Sequence, residues 1–454
     1  MNDFNEMIDE FSSTLKTTTK KKKKDSFDRF GDDLTELLLQ YLPLEDRLRL
    51  QSVSKQWLAL IFNTQTQLIF DDKLLQKLFL YYRQTYKLFE SIVKNCPNIT
   101  TVTISDVYFS NIYFELLIKY CCRLRHLYIK PINSYQLFTT DRIIKQFCHR
   151  FDQQLHTFKL NNFDSHLKRP LFYKLIDCMP NLKSVDFTDK NNLNIQLSDI
   201  FTADNCYVLP KSLQSIKLIL NNNSMPLFAM FADIYGQQIT SLNLTVSRFG
   251  DDSNAQKLLS TGLSQMKQLR QLKIVLNAKL TDDLLAAIGQ NCCRLKVLDL
   301  IVRKYSSKVS PIFESINKHM FQQLRRLSLE CLPNKSDKML VVLTASLLNR
   351  LTHLTLRRLD YSYIIGDEFF SDIHYNFPRL QYIHCDGVSI TEKSIQAMGQ
   401  LAHLMYVDLR CHENKLTISE SYIRQHLLIG TKIKHLFINI QYPYSHPNLL
   451  FSYG

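Results

Sequence analysis

Reactive side chains are numerous in this sequence but scattered. Its 13 histidines and 11 cysteines form no C-x-x-C pair and no H-E-x-x-H, and no G-x-x-x-x-G-K-[ST] loop occurs, so the spacings that build a zinc centre or a phosphate cradle are missing. No catalytic residue, metal or cofactor is expected, and the chain reads as non-catalytic. What remains is suited to binding. Between Arg326 and Asn439, polar and aromatic residues recur as alternate-residue triplets: Arg326, Ser328 and Glu330; His353, Thr355 and Arg357; Tyr382, His384 and Asp386; Tyr406, Asp408 and Arg410; and His435, Phe437 and Asn439. Period-two spacing puts each triplet on one face of a strand. Arginines and aromatics are the usual anchors of protein interfaces, so this face is the expected target-binding surface. The equivalent positions earlier in the chain carry mostly Thr, Ser, Asn and Lys.

The elements that must position these triplets are repeated strands. An L-x-x-L-x-L spacing, clearest at Leu295, Leu298 and Leu300 behind the helical pattern opened by Thr281-Asp282-Asp283, recurs thirteen times. Its first positions run from Ile99 to Ile433 at intervals of 24 to 31 residues, a leucine-rich-repeat period. Burying three aliphatic side chains contributes roughly 5 to 9 kcal/mol, whereas ordering about 28 residues costs on the order of 40 kcal/mol. One unit therefore cannot stand alone. Stacked units complete one another's cores, which predicts an α/β leucine-rich-repeat solenoid with a parallel sheet on the concave face and helices outside. At about 4.8 Å per strand, thirteen strands give an inner wall on the order of 60 Å long, a surface shaped for a macromolecule.

Composition narrows the setting. The cysteines are odd in number, and the adjacent pairs Cys121-Cys122 and Cys292-Cys293 are poor disulfide candidates, which fits a reducing compartment. Cys96, Cys121 and Cys292 each precede a first strand position by three residues and read as small buried hydrophobes at a turn. The acidic N-terminus does not look like a secretory signal, and no apolar run reaches the roughly 20 residues of a membrane span. A cytoplasmic or nuclear location is expected. Residues 1–26, ending in Lys20 to Lys24, have no apolar periodicity and read as a disordered lead-in. The formal charge is +14, and the excess lies beyond residue 70, where 46 basic residues face 31 acidic ones. Acidic or phosphorylated partners suit that balance, while the absence of a basic-aromatic motif argues against nucleic acid.

Residues 27–70 change pattern. Phe30, Leu34, Leu37, Leu38 and Tyr41 fall on one helical face, with Asp32 or Asp33 as cap, and Pro43 is expected to end the helix. A second helix is expected to start near Glu45-Asp46, with Leu50, Val53, Trp57 and Ile61 as its stripe. Two such short helices cannot hide both stripes from water, which argues for a helical partner. The run DDLTELLLQYLPLEDRLRLQSVSKQWLAL resembles an F-box: leucines in a first helix, a Leu-Pro turn, an acidic helix start and a closing Val-x-x-x-Trp. Phe30-Gly31 stands where an opening Leu-Pro is usual, and Ser54 where Cys is frequent.

With the repeats behind it, the chain resembles the F-box and leucine-rich-repeat family, substrate-recognition subunits of Skp-cullin-F-box (SCF) ubiquitin ligases. The resemblance implies that Leu34, Leu37, Leu38, Leu42, Pro43, Leu48, Leu50, Val53 and Trp57 form or support the face for a Skp-type adaptor and, through it, a cullin. The array would hold an unidentified protein target. A non-catalytic repeat scaffold uncoupled from a cullin is the alternative. Residues 71–98 read as a helical linker and cap, 99–441 as the array, with stretched loops after Lys130, Asn161 and Lys190 and further loops at Asn221 to Asn223 and Arg248 to Asn254, and 442–454 as a tail capping the last repeat.

Overall fold

Every one of the thirteen motifs lies on a strand of a single sheet, and a fourteenth strand precedes them. The computed structural model describes residues 31–50, 55–77, 85–105, 110–130, 141–163, 175–189, 197, 201–202, 205–206, 209–246, 253–277, 281–303, 321–331, 339–340, 348–357, 363–411, 418–429 and 431–440. The strands are β1 (Gln67–Phe70), β2 (Thr101–Ser105), β3 (His126–Lys130), β4 (Thr157–Phe163), β5 (Ser184–Asp189), β6 (Phe201–Thr202), β7 (Asn205–Cys206), β8 (Ser215–Leu220) and β9 (Ser241–Val246). They continue with β10 (Gln271–Leu276), β11 (Val297–Val302), β12 (Arg326–Cys331), β13 (Met339–Leu340), β14 (His353–Arg357), β15 (Tyr363–Ile364), β16 (Tyr382–Val388), β17 (Tyr406–Cys411) and β18 (His435–Ile440). Two short pairs, β6 with β7 and β13 with β15, stand apart. The other fourteen form one open parallel sheet in simple chain order from β1 to β18.

Alternation accounts for the sheet. In β9, Leu242, Leu244 and Val246 are buried while Ser241, Asn243 and Thr245 are half-exposed, and the same phase holds through β2, β8 and β11. The first motif position is buried in the turn before the strand, as at Leu295, Leu324 and Leu351, except ahead of β18, where Ile433 is half-buried. A repeated backbone contact locks the register: the N–H groups of Lys296 and Val297 both donate to the Arg270 carbonyl, those of Arg325 and Arg326 to the Lys296 carbonyl, and those of Thr352 and His353 to the Arg325 carbonyl. This ladder runs from Thr100 to Lys434, so the second motif residue of each unit sits directly beside its counterpart.

Helices back the sheet where they are described. Met225–Tyr235 buries Phe228, Phe231 and Ala232, and Ser253–Ser264 packs so closely on it that a Cβ on Gly262 would lie 2.6 Å from the Phe228 ring. Cys96, Cys121 and Cys292 are buried, and burial pushes each thiol up to about 12. They pack as neutral small hydrophobes. Among the described residues no helix is long and apolar enough to cross a membrane.

Several local expectations change. Asn221 to Asn223, expected as a loop, opens a capped turn in which Asn221 and Ser224 exchange side-chain and backbone hydrogen bonds before the helix. The ladder starts at β1, inside the span expected for the helical hairpin. The repeat spacing misses this strand because its first motif position is polar: Gln65 precedes Leu68 and Phe70, and all three are buried. The stretches 1–26 and 442–454, and most of the long expected loops, lie outside the described residues.

Candidate functional site

The N-terminal helices are α1 (Asp32–Gln40), α2 (Leu44–Arg49) and α3 (Lys55–Thr64). Gly31, rather than Asp32 or Asp33, occupies the cap of α1; the two aspartates fall in the first turn, where their charge suits the helix dipole. The helix ends at Gln40, ahead of Pro43, which stands at the cap of α2. The expected second helix is two helices, because α2 stops at Arg49 and Leu50 leaves the helical range.

On α1 the apolar residues divide cleanly. Thr35 and Leu39 are fully buried against the hairpin core, whereas Leu34, Leu37, Leu38 and Tyr41 are exposed by 44%, 48%, 41% and 79%. A contiguous greasy strip on a helix this small marks a surface made to be covered. Of the other expected adaptor-face residues, Pro43 is exposed, and Leu42 and Leu50 are half-buried against the core. Leu48 and Trp57 are buried at 6% and 5%, so they hold the hairpin together and do not offer a contact. Val53 lies outside the described residues. Tyr41 belongs on the face but not among the expected contacts, and the helical spacing of Leu34, Leu37 and Tyr41 is the signal that finds it.

The hairpin is fixed to the array. Arg47 of α2 donates from Nε to the Leu42 carbonyl at 2.8 Å and from its terminal nitrogen to Gln65 Oε1 at 3.2 Å, and Gln65 leads into β1. Asn98 donates to the Asn63 carbonyl at 2.8 Å, and the Thr100 N–H donates to the Thr66 carbonyl. Arg47 thus ties the helical turn to the first strand.

At the other end, the sheet register brings the alternate-residue triplets into rows. His353, Tyr382, Tyr406 and His435 are successive partners, with ring centroids 5.5, 4.4 and 5.9 Å apart. The first two contacts are stacked. The next row contains His384 and Asp408, joined at 2.6 Å, and the third pairs Asp386 with Arg410. Asp386 lies 3.3 Å from His384 Nε2, and Arg410 Nε lies 3.6 Å from both carboxylates. Burial alone lowers the His384 pKa, but hydrogen bonds and charge from Asp386 and Asp408 outweigh it and hold the imidazole above its ordinary value. At the bulge after Asp386, Gly387 takes φ 74°, a left-handed conformation that suits glycine.

Not all twelve expected target contacts face solvent. Arg326, Arg357 and His435 are exposed, and Glu330, His353, Tyr382, Asp386, Tyr406, Arg410 and Phe437 are half-exposed. His384 and Asp408 are only 3% and 6% exposed; they brace the wall from within. Sequence reasoning missed the mid-wall ion pairs Lys273–Asp299 at 2.9 Å and Lys217–Asp186 at 3.9 Å, whose partners come from different units. Among the described residues no His, Cys, Asp and Glu group is arranged to hold a metal.

Residues 27–65 match the F-box domain family. No curated protein matches the chain. Similar solved structures include a chain of the Rad7 and Elc1 complex in yeast, 12% identical with a TM-score of 0.42 over 95% of this chain and 89% of that one. A leucine-rich repeat-containing protein, LegL7 from Legionella pneumophila, is 16% identical with a TM-score of 0.36 over 57% of this chain and 93% of its own. The TLR13–ssRNA13 complex gives 13% identity and a TM-score of 0.39 over 78% of this chain and 55% of that one. The protein is an N-terminal F-box followed by an open leucine-rich-repeat solenoid, an assignment that rests on the domain match and on this chain's own strand ladder.

Proposed function

We propose that the protein is a non-catalytic substrate-recognition subunit of an SCF-type ubiquitin ligase. Its F-box docks on a Skp-type adaptor through α1, the adaptor connects it to a cullin, and the concave wall holds a protein target. The exposed strip of Leu34, Leu37, Leu38 and Tyr41 carries this reading, because a domain that matches the F-box leaves uncovered the apolar surface a helical partner would bury. The tie from Arg47 to Gln65 would fix the angle at which a target is held out to the ligase. Catalysis of ubiquitin transfer then rests elsewhere, and this chain contributes proximity.

Leu37→Asp and Leu38→Asp test it. Both side chains point to water, so the doubly changed chain should keep its thermal stability while losing co-purification with the Skp-type adaptor. Failure of the unaltered chain to co-purify, or equal recovery with both substitutions in place, would remove the reading. Changing Leu48 to Asp is a poor test, since a charge at that buried position unfolds the hairpin.

A further inference from the structure

The sheet ladder also lines up the turns that lead into the strands, and their charge is one-sided. Lys or Arg occurs in most of the described turns, and Asp152 is the only acid among them. The positive charge is densest from Arg270 to Arg379. Arg270, Lys296 and Arg325 occupy consecutive rungs of the backbone ladder, about 4.8 Å apart. Arg294 and Arg350 stand two residues before the next rung positions, and each guanidinium donates to a neutral amide of the preceding unit, Gln268 and Gln323 respectively, the latter at 2.8 Å. Arg123 does the same to Asn98 at 2.7 Å. These arginines are therefore held in place without being neutralised: among the described residues, none from Arg270 to Arg379 in these turns is paired with a carboxylate.

Arg325, Arg326, Arg350 and Arg379 surround a pocket of about 430 Å³ together with Thr352 and Gln381. His353 also lines it and is the first ring of the row that continues through Tyr382 and Tyr406 to His435. The positive field is felt by the histidines: burial and then the Arg326 charge lower the His353 pKa, and burial with Arg125 and Lys183 does the same to His126 and His156.

Against the expectation from the sequence, where no basic-aromatic motif is contiguous, we propose that this edge is a track for single-stranded nucleic acid, with the turn arginines gripping phosphates and the neighbouring aromatic row meeting bases. Regularly spaced cations beside aromatic rings are the two parts that sequence-tolerant single-strand binding requires. An acidic protein segment would present its charge irregularly and alongside cations of its own, whereas this track repeats its charge through the successive turns from Arg270 to Arg379 with no acid among their described residues. Duplex nucleic acid fits less well. Outer helices need about 8 to 10 Å of spacing against about 4.8 Å for strands, so the wall curves, and a duplex with a persistence length of about 50 nm meets few rungs at once. A flexible strand follows them. This inference does not rest on adaptor docking.

The test uses the full chain and a fluorescein-labelled oligouridine of about 20 nucleotides, followed by anisotropy across a salt series. Binding should weaken steeply with salt, and the combined change R325Q/R350Q/R379Q should weaken it by about tenfold or more at about 100 mM salt while reducing the logarithmic salt slope by about 2. The matching R325K/R350K/R379K chain should retain most of the affinity, and circular dichroism melts should agree among all three. Replacing Lys20 to Lys24 with Ser removes the other lysine-rich stretch and should leave most of the binding intact. The proposal is overturned if the Gln variant binds as tightly as the parent, if loss of Lys20 to Lys24 abolishes binding, or if a duplex of equal length or a phosphorylated acidic peptide binds as tightly as the oligouridine. Adaptor co-purification by the Gln variant reports separately on the F-box, so failure of one reading is distinguishable from failure of the other.

Discussion

At the scale of single residues, His384 shows how burial and charge compete. Asp386 and Asp408 hold its folded pKa above the ordinary value of 6.5, so its contribution to stability is complete below that value and is lost as pH rises through the raised one. Melting curves should therefore show a decline as pH rises above 6.5 that H384N flattens; an identical pH slope in the two chains would refute the assignment. The histidines with lowered values, His126, His156 and His353, act in the opposite direction and remain in both chains, so the difference isolates His384. Cysteines divide by burial. Cys122, Cys178 and Cys293 are exposed and should react with a thiol reagent in the native state, whereas Cys96, Cys121 and Cys292 should react only on unfolding. Rapid native labelling of Cys292 would contradict the packing described.

Between elements, two contacts set the fit of one unit on the next. Gly262 lets the helix Ser253–Ser264 approach Phe228, and Gly262→Ala would place a methyl group 2.6 Å from that ring. The expected cost is about 1 to 3 kcal/mol, measured by urea unfolding; a neutral result would mean that Phe228 can swing aside. Asp367 joins the helix Asp367–Ser371 to the following unit, accepting the Thr391 N–H at 3.0 Å, the Thr391 hydroxyl at 2.6 Å and the Ser394 hydroxyl. Burial tends to raise its pKa, but these hydrogen bonds win and lower it. Its contribution is thus present above the usual carboxylate range and lost as pH falls through the lowered value. Asp367→Asn should destabilise the C-terminal units by about 1 kcal/mol at neutral pH, a modest figure because the site is partly exposed, and hydrogen exchange in β16 and β17 would register it.

For the molecule as a whole, the tie between hairpin and array predicts that Arg47→Met spares adaptor docking but loosens the angle between the two parts, seen as a broader distance distribution between labels on α1 and on β9. An unchanged distribution would show that Arg47 is not the tie. The solenoid itself was legible in the sequence, because each L-x-x-L-x-L unit must bury its own three side chains and the period declares how often. The strip Leu34, Leu37 and Leu38 was legible too, since helical spacing is local. Burial was not: Leu48 looks like a contact by type and turns out to be core, because only the packing of α1 on α3 decides which leucines meet water. Nor could the sequence join Arg325 to Arg350 and Arg379, or His384 to Asp408, across intervals of a full unit. Periodicity determined that strands would stack. Register, which depends on the backbone ladder holding every unit in step, decided which distant side chains became neighbours.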